Sequence, residues 1–220
     1  MSRLFKIFKD PISGLTHVTS AAAALAGAVV LGVLSPPGSA RAALLVYGAS
    51  LVLMFAASSA YHLVKASPAW DLLLRKLDHT AIFLFIAGTY TPVCVIALTG
   101  SWRWGLLIAV WSVAAVGILF KFAFIRHAPR WLSVVIYLLM GWLGVIGAAQ
   151  LVRAVPLAGL AWLAVGGLLY TGGALVYATK RLDFLPGVFG FHEIWHLFVS
   201  AASAAHYIFI LGYVLPAAAR

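Results

Sequence analysis

Charged residues are scarce in this sequence: they make up 9% of the 220 residues, and only five residues are acidic. Soluble globular domains carry about 25% charged and about 45–50% apolar residues, whereas 64% of the residues here are hydrophobic. A water-soluble fold of this length cannot bury that much apolar surface, and a disordered chain needs low hydrophobicity. The composition excludes both classes and predicts a helical protein that crosses the membrane several times.

Cysteine is almost absent as well. Cys94 is the single cysteine, so no intrachain disulfide can form and a disulfide-stapled secreted module is excluded. The net charge of +10 does not indicate nucleic-acid binding, because the basic residues are scattered between apolar segments and form no patch or stripe. We therefore expect no nucleic-acid partner.

Seven apolar segments are long enough for membrane spans, which need about 20 residues each. Turn-forming and charged residues separate them. We predict an all-α, integral membrane bundle of seven transmembrane helices that forms a single domain over residues 1–220. The predicted spans are residues 15–34, 42–64, 77–98, 104–124, 131–152, 156–178 and 191–215.

The distribution of basic residues predicts how the bundle is oriented. Cytoplasmic segments of membrane proteins are enriched in lysine and arginine. With the N-terminus in the cytoplasm and the C-terminus outside, eleven of the 15 lysines and arginines fall on the inner side. Residues 1–42 also have the basic start and small-residue end of a signal peptide, but their apolar run is longer than a typical signal-peptide core, so we interpret it as the first span.

Ionisable side chains near one membrane depth are the strongest functional signal. Such groups are costly inside a bilayer and are therefore functional hypotheses by default. In the predicted orientation, residues from four spans reach the inner leaflet: His17 from the first, His62 from the second, Asp78 from the third, and the pair His192 and His196 from the seventh.

His192 and His196 are four residues apart, so they share one face of a helix and can bind one ion. Neutral imidazole is a good zinc ligand, and a catalytic zinc site typically has three protein ligands. We predict His62 as the third ligand and zinc as the metal. The alternative for each histidine is a packing or interface residue without a metal.

Two further residues are predicted to do chemistry beside the histidines. Ser58 lies four residues before His62 on the same helix face and can hydrogen-bond into the site; its alternative is helix packing. Asp78 can orient a histidine or activate a water; its alternative is the N-cap of the third span. We expect His17 to have no local partner.

The remaining histidines near the spans are expected to lie outside the site. His79 is rotated by about 100° from Asp78 on a helix, which favours an interface position. His206 lies ten residues beyond His196 and is expected to be a buried, hydrogen-bonded histidine.

The segment His192-Glu193-Ile194-Trp195-His196 also matches the metalloprotease pattern H-E-x-x-H, in which Glu193 would be the general base. Intramembrane zinc proteases need a carboxylate third ligand from an Asp-Gly motif in another span. This sequence has no such motif, so the protease interpretation is disfavoured.

Four segments together resemble the hemolysin III family, the bacterial branch of the progestin and adiponectin receptor (PAQR) superfamily: DPISGLTH, SSAYH, LDHTAIFLFIAGTYTP and HEIWHLFVSAASAAHY. The resemblance implies a zinc site built from the S-x-x-x-H and H-x-x-x-H motifs, which here comprise Ser58, His62, His192 and His196, with the family's aspartate at Asp78. The family motif does not fix the residue at Glu193, so no role follows for it.

The resemblance implies different activities for the animal and the bacterial members of the superfamily. The animal relatives look like zinc-dependent hydrolases of ceramide amides, while the bacterial branch is named for a cytolytic, pore-forming activity and is linked with membrane-lipid homeostasis. We expect a ceramidase-like hydrolase of lipid amides or esters in the bacterial inner (cytoplasmic) membrane, with membrane lipids entering from the inner leaflet. The alternatives are a pore-forming cytolysin and a non-catalytic regulator of membrane state, and the oligomeric state is left open.

Overall fold

The computed structural model describes residues 3–219, and within this range seven helices are long and apolar enough to cross a membrane. A short helix, Arg3–Ile7, precedes the spans. The predicted helix class and span number are therefore confirmed. In chain order the spans are Pro11–Leu34, Ser39–Leu63, Pro68–Ala97, Gly100–Phe124, Arg130–Ala154, Leu157–Thr179 and Phe191–Ala218.

The third span begins nine residues earlier than predicted, at Pro68 instead of residue 77. Ser67 adopts an extended conformation before the helix, and proline is favoured in the first turn because it needs no amide partner there. Hydropathy locates only the apolar part of such a helix. Asp78 consequently lies about three turns into the helix, so the alternative that it caps this span is wrong.

Glycines allow neighbouring spans to approach closely around the second span. A side chain at Gly88 of the third span would collide with Ser50 of the second, and one at Gly14 of the first would collide with Leu63. Close backbone approach of this kind is how membrane helices gain packing energy without a hydrophobic driving force. The Gly14 contact holds the first span against the second at the end where the histidines lie, and the Gly88 contact holds the third span against the second deeper in the bundle.

The fifth span is interrupted. Its α-helix Arg130–Trp142 passes into a 3₁₀ segment, Leu143–Gly147, and then into a second α-helix, Ala148–Ala154. The hydroxyl of Tyr90 donates to the carbonyl of Gly141 and accepts from the amide of Gly144, both at 2.7 Å. Backbone groups freed by a break in a membrane helix need such partners.

Candidate metal centre

Three histidines from two spans converge at one end of the bundle. Nε2 of His192 lies 3.1 Å from Nε2 of His196 and 3.4 Å from Nε2 of His62. One ligand atom from each ring falls within 4.8 Å of the other two. Two zinc–nitrogen bonds of 2.0–2.1 Å at a tetrahedral angle put the nitrogens about 3.3 Å apart. The three histidines that the sequence analysis predicts as ligands therefore form a cluster that could hold a metal ion.

The start of the seventh span sets the positions of His192 and His196. Glu193 accepts a hydrogen bond from the amide of Gly190 at 2.8 Å, which satisfies a backbone donor at the helix start. Its other carboxylate oxygen accepts from the hydroxyl of Ser13 in the first span at 3.0 Å. Both oxygens of Glu193 are thus engaged in holding the helix, which gives it a structural role in this geometry.

Asp10 orients the His62 ring. Nδ1 of His62 lies 3.0 Å from Oδ2 of Asp10, and the Asp10 amide donates to the His62 carbonyl at 2.7 Å. The bond at Nδ1 leaves Nε2 of His62 directed at the other two histidines, a common arrangement behind metal ligands. The same hydrogen bond from His62 holds the pKa of Asp10 below its ordinary value.

Sequence reasoning missed Asp10. It lies before the first span and is the first residue of DPISGLTH, one of the four segments that resemble the family. The motifs quoted for the family give this residue no role. One signal was available: Asp10 precedes His17 by seven residues, which is two helical turns. The side chains of such a pair can reach the same face.

His17 has no partner close to it in the sequence, as expected, but residues from two other spans contact its ring. Its Nδ1 lies 2.9 Å from the hydroxyl of Ser58, and its ring stacks against that of His196 with centroids 3.9 Å apart. All three side chains are buried. The partners come from the second and seventh spans, so they are invisible in the local sequence around His17.

Asp78 and Ser58 line the same cavity as the three clustered histidines. Oδ2 of Asp78 lies 3.4 Å from Nδ1 of His79, so His79 also borders the site although we expected it at the interface. The carbonyl of His79 accepts from the hydroxyl of Tyr137 at 2.8 Å. His206 is hydrogen-bonded to the carbonyl of Leu163 at 3.3 Å, as predicted, but it is only half-buried and lines the same cavity away from the three clustered histidines.

A cavity of about 680 Å³ opens from the cluster into the bundle. It is bordered by the second to seventh spans and extends as far as Leu160 and His206. Most of its surface is apolar. Its volume and lining match those of sites that hold small organic ligands.

The seven helices and the histidine cluster define the class: an integral membrane protein with a three-histidine site at one end of its bundle. The chain belongs to the Haemolysin-III related family, which matches residues 5–207.

Individual relatives span nearly the whole chain. It is 36% identical over 222 residues to Hemolysin-3 of Bacillus cereus, covering 99% of this chain and 98% of the relative. It is 38% identical over 168 residues to a Hemolysin-3 homolog of Bacillus subtilis (strain 168), covering 76% and 75%. It is 28% identical over 207 residues to the human monocyte to macrophage differentiation factor, a PAQR member, covering 90% and 82%. The family predicted from the motifs is confirmed.

Proposed function

We propose that this protein is a zinc-dependent hydrolase of membrane-lipid amide or ester bonds, ceramidase-like in its chemistry and involved in membrane-lipid homeostasis. The observation that carries the proposal is the histidine cluster that lines a large, mostly apolar cavity. A lipid can place its acyl chain along such a cavity and its polar linkage at the histidines.

Zinc suits the donor set. Three neutral imidazoles with converging nitrogens are a typical catalytic zinc site, and one of them is oriented by a carboxylate. His62, His192 and His196 would hold the ion. When bound, zinc supplies Lewis acidity and lowers the pKa of a water to about 7.

Asp78 is the carboxylate placed to take a proton during hydrolysis. It lines the cavity beside the cluster, and its one ion-pair contact among residues 3–219 is with its neighbour His79. Asp10 and Glu193 are less suited, because each is engaged by hydrogen bonds that hold structure. General base catalysis by a positioned carboxylate contributes typically 10²–10⁴-fold to rate.

Ser58 is proposed to donate a hydrogen bond to the carbonyl oxygen of the scissile bond. A hydroxyl has one donor, so Ser58 can do this only when His17 donates its Nδ1 proton to Ser58 Oγ across their 2.9 Å contact. His17 would then be neutral with its proton on Nδ1. This makes His17 a positioning residue for Ser58.

The substrate is proposed to enter from the inner leaflet of the bacterial inner membrane. The histidine end of the bundle is the inner end if the N-terminus is cytoplasmic, as the basic residues favour. Entry at that level spares a lipid from crossing water.

Metal content and lipid hydrolysis of the detergent-purified protein test the proposal. Wild type should hold about one zinc per chain, and His62→Ala and His196→Ala should lose it. Asp78→Asn should keep the zinc but lose about 100-fold or more of its hydrolysis of a long-chain N-acyl lipid in reconstituted vesicles. Asp71→Asn is the matched control, because Asp71 lies on the same helix but is not among the residues that line the cavity; it should keep full activity. Hydrolysis that survives loss of the metal would refute the proposal.

A pore-forming cytolysin is the second candidate, favoured by the printed name of the Bacillus cereus relative, Hemolysin-3. Conductance of planar bilayers separates the two: channels that persist in His62→Ala and His196→Ala favour the pore. A metal-loaded protein that shows neither hydrolysis nor conductance would favour the third alternative, a non-catalytic regulator of membrane state.

A further inference from the structure

Lys121 is a buried cation without a counter-ion. It lies near the end of the fourth span and is 4% exposed. Its ammonium donates to the hydroxyl of Ser133 in the fifth span, and no ion pair involving it occurs in residues 3–219. A lysine that only anchors a span end extends its ammonium into water, whereas this one points into the bundle, where an unpaired charge is expensive.

The acidic residues of the chain are placed elsewhere. None of the five lies against Lys121: Asp10 is against His62, Asp71 against Lys9, Asp78 against His79, and both Glu193 and Asp183 are close to Gly190. Lys121 therefore has no anionic side chain as a partner within residues 3–219.

Two exposed arginines border the cavity that Lys121 lines. Arg75 is close enough to Lys121 for the two charges to repel each other. The guanidinium of Arg130 lies 4.8 Å above the Tyr177 ring, which also borders this cavity. Like charges gathered at one cavity mouth repel unless an anion lies between them.

We propose that this mouth, to which the third, fourth and fifth spans each contribute a basic residue, is an anion-binding site for a phosphate group. Lys121 is its buried anchor, and Arg75 and Arg130 are at its rim. Lysine and arginine are the usual phosphate ligands in proteins, and the Ser133 hydroxyl, which accepts from Lys121, keeps its own proton to donate. The phosphate belongs either to a lipid headgroup whose chains occupy the cavity or to a free anion. The proposed phosphate ligands are not the three clustered histidines, although both sets line the same cavity, and phosphate binding goes beyond the proposed hydrolysis.

Binding of two lipids with identical chains tests the site. Dioleoylphosphatidic acid and dioleoylphosphatidylcholine are titrated by native mass spectrometry into detergent-purified wild type, Lys121→Met and Lys180→Met, all with chelator present so that neither metal nor hydrolysis matters. Lys180 is the matched control, because it is exposed at the same end of the bundle and outside the cavity. We expect wild type to prefer phosphatidic acid, Lys121→Met to bind it at least about ten-fold more weakly, and Lys180→Met to match wild type.

Equal affinity of wild type and Lys121→Met for phosphatidic acid would overturn the proposal, as would equal affinity of wild type for both lipids. Should Lys121→Met fail to fold, the double variant Arg75→Gln/Arg130→Gln replaces it, since both side chains are exposed; unchanged binding there overturns the proposal too. Competition by millimolar inorganic phosphate would support the site with a free anion as its ligand. Loss of phosphatidic acid binding in the variants without such competition would support it with a lipid headgroup.

Discussion

Removing the Asp10 carboxylate should weaken metal binding although Asp10 is not a ligand. In Asp10→Ala, Nδ1 of His62 loses the acceptor 3.0 Å away, so neither the ring orientation nor the tautomer is held. Loss of such a partner typically costs 10–100-fold in metal affinity, which is about 1.4–2.7 kcal/mol. Because the Asp10 side chain is 46% exposed, solvent screens the interaction and we expect a loss near ten-fold.

The assay is competition for zinc against a chelator of known affinity, with detergent-purified protein. The backbone hydrogen bond from Asp10 to the His62 carbonyl is kept in the variant, so the fold around the site should survive. Asp10→Asn keeps an acceptor oxygen and should lose less than Asp10→Ala. Asp71→Ala is the control, because it removes an acid that pairs with the adjacent Lys9; its zinc affinity should equal that of wild type. An Asp10→Ala protein with wild-type zinc affinity would refute the assignment of Asp10 as the orienting group.

Three further predictions concern packing, Glu193 and orientation. Gly88→Val should lower the free energy of unfolding in detergent by about 1–3 kcal/mol, because its side chain would meet Ser50. Gly105→Val is the control and should be tolerated, because its side chain faces open space. Equal thermal unfolding midpoints for the two variants would contradict this. Glu193→Gln should retain metal and lipid hydrolysis, since the amide still accepts from Gly190; loss of hydrolysis with full metal content would assign Glu193 as a base after all. Alkaline phosphatase fused after the last residue should be active in a bacterial host, because the C-terminus is predicted to be outside. An inactive phosphatase fusion together with a fluorescent C-terminal fusion to green fluorescent protein would show that the C-terminus is cytoplasmic and contradict the prediction.

The three clustered histidines could be predicted because their signals lie in the sequence of each span. His192 and His196 share a helix face by their spacing, and His62 reaches the same depth by its place at the end of a neighbouring span. Successive spans cross the membrane in opposite directions, so the end of the second span and the start of the seventh lie on the same side of a seven-helix bundle with short loops. The structure agrees, with nitrogen separations of 3.1 and 3.4 Å.

The start of the third span shows that hydropathy locates the apolar part of a helix but not the residue at which the helix begins. Helix formation depends on backbone hydrogen bonding and on a suitable first turn, whereas the transfer energy of side chains decides only which part lies in hydrocarbon. Pro68 opens the helix, and the charged residues up to Lys76 continue it outside the apolar segment. The position of Asp78 within the helix follows from this: the predicted start at residue 77 puts it in the first turn, about two and a half turns too close to the helix start.

By itself the sequence determined that the protein crosses the membrane, that it does so seven times, and which three histidines could share a metal, because apolar length and helical period are properties of each segment alone. Only the tertiary structure decided that Asp10 orients His62, that His17 bonds Ser58, and that Lys121 points into the cavity instead of towards water. Those three depend on which helix faces meet, and the facing of a helix is set by packing against its neighbours, which no single segment encodes.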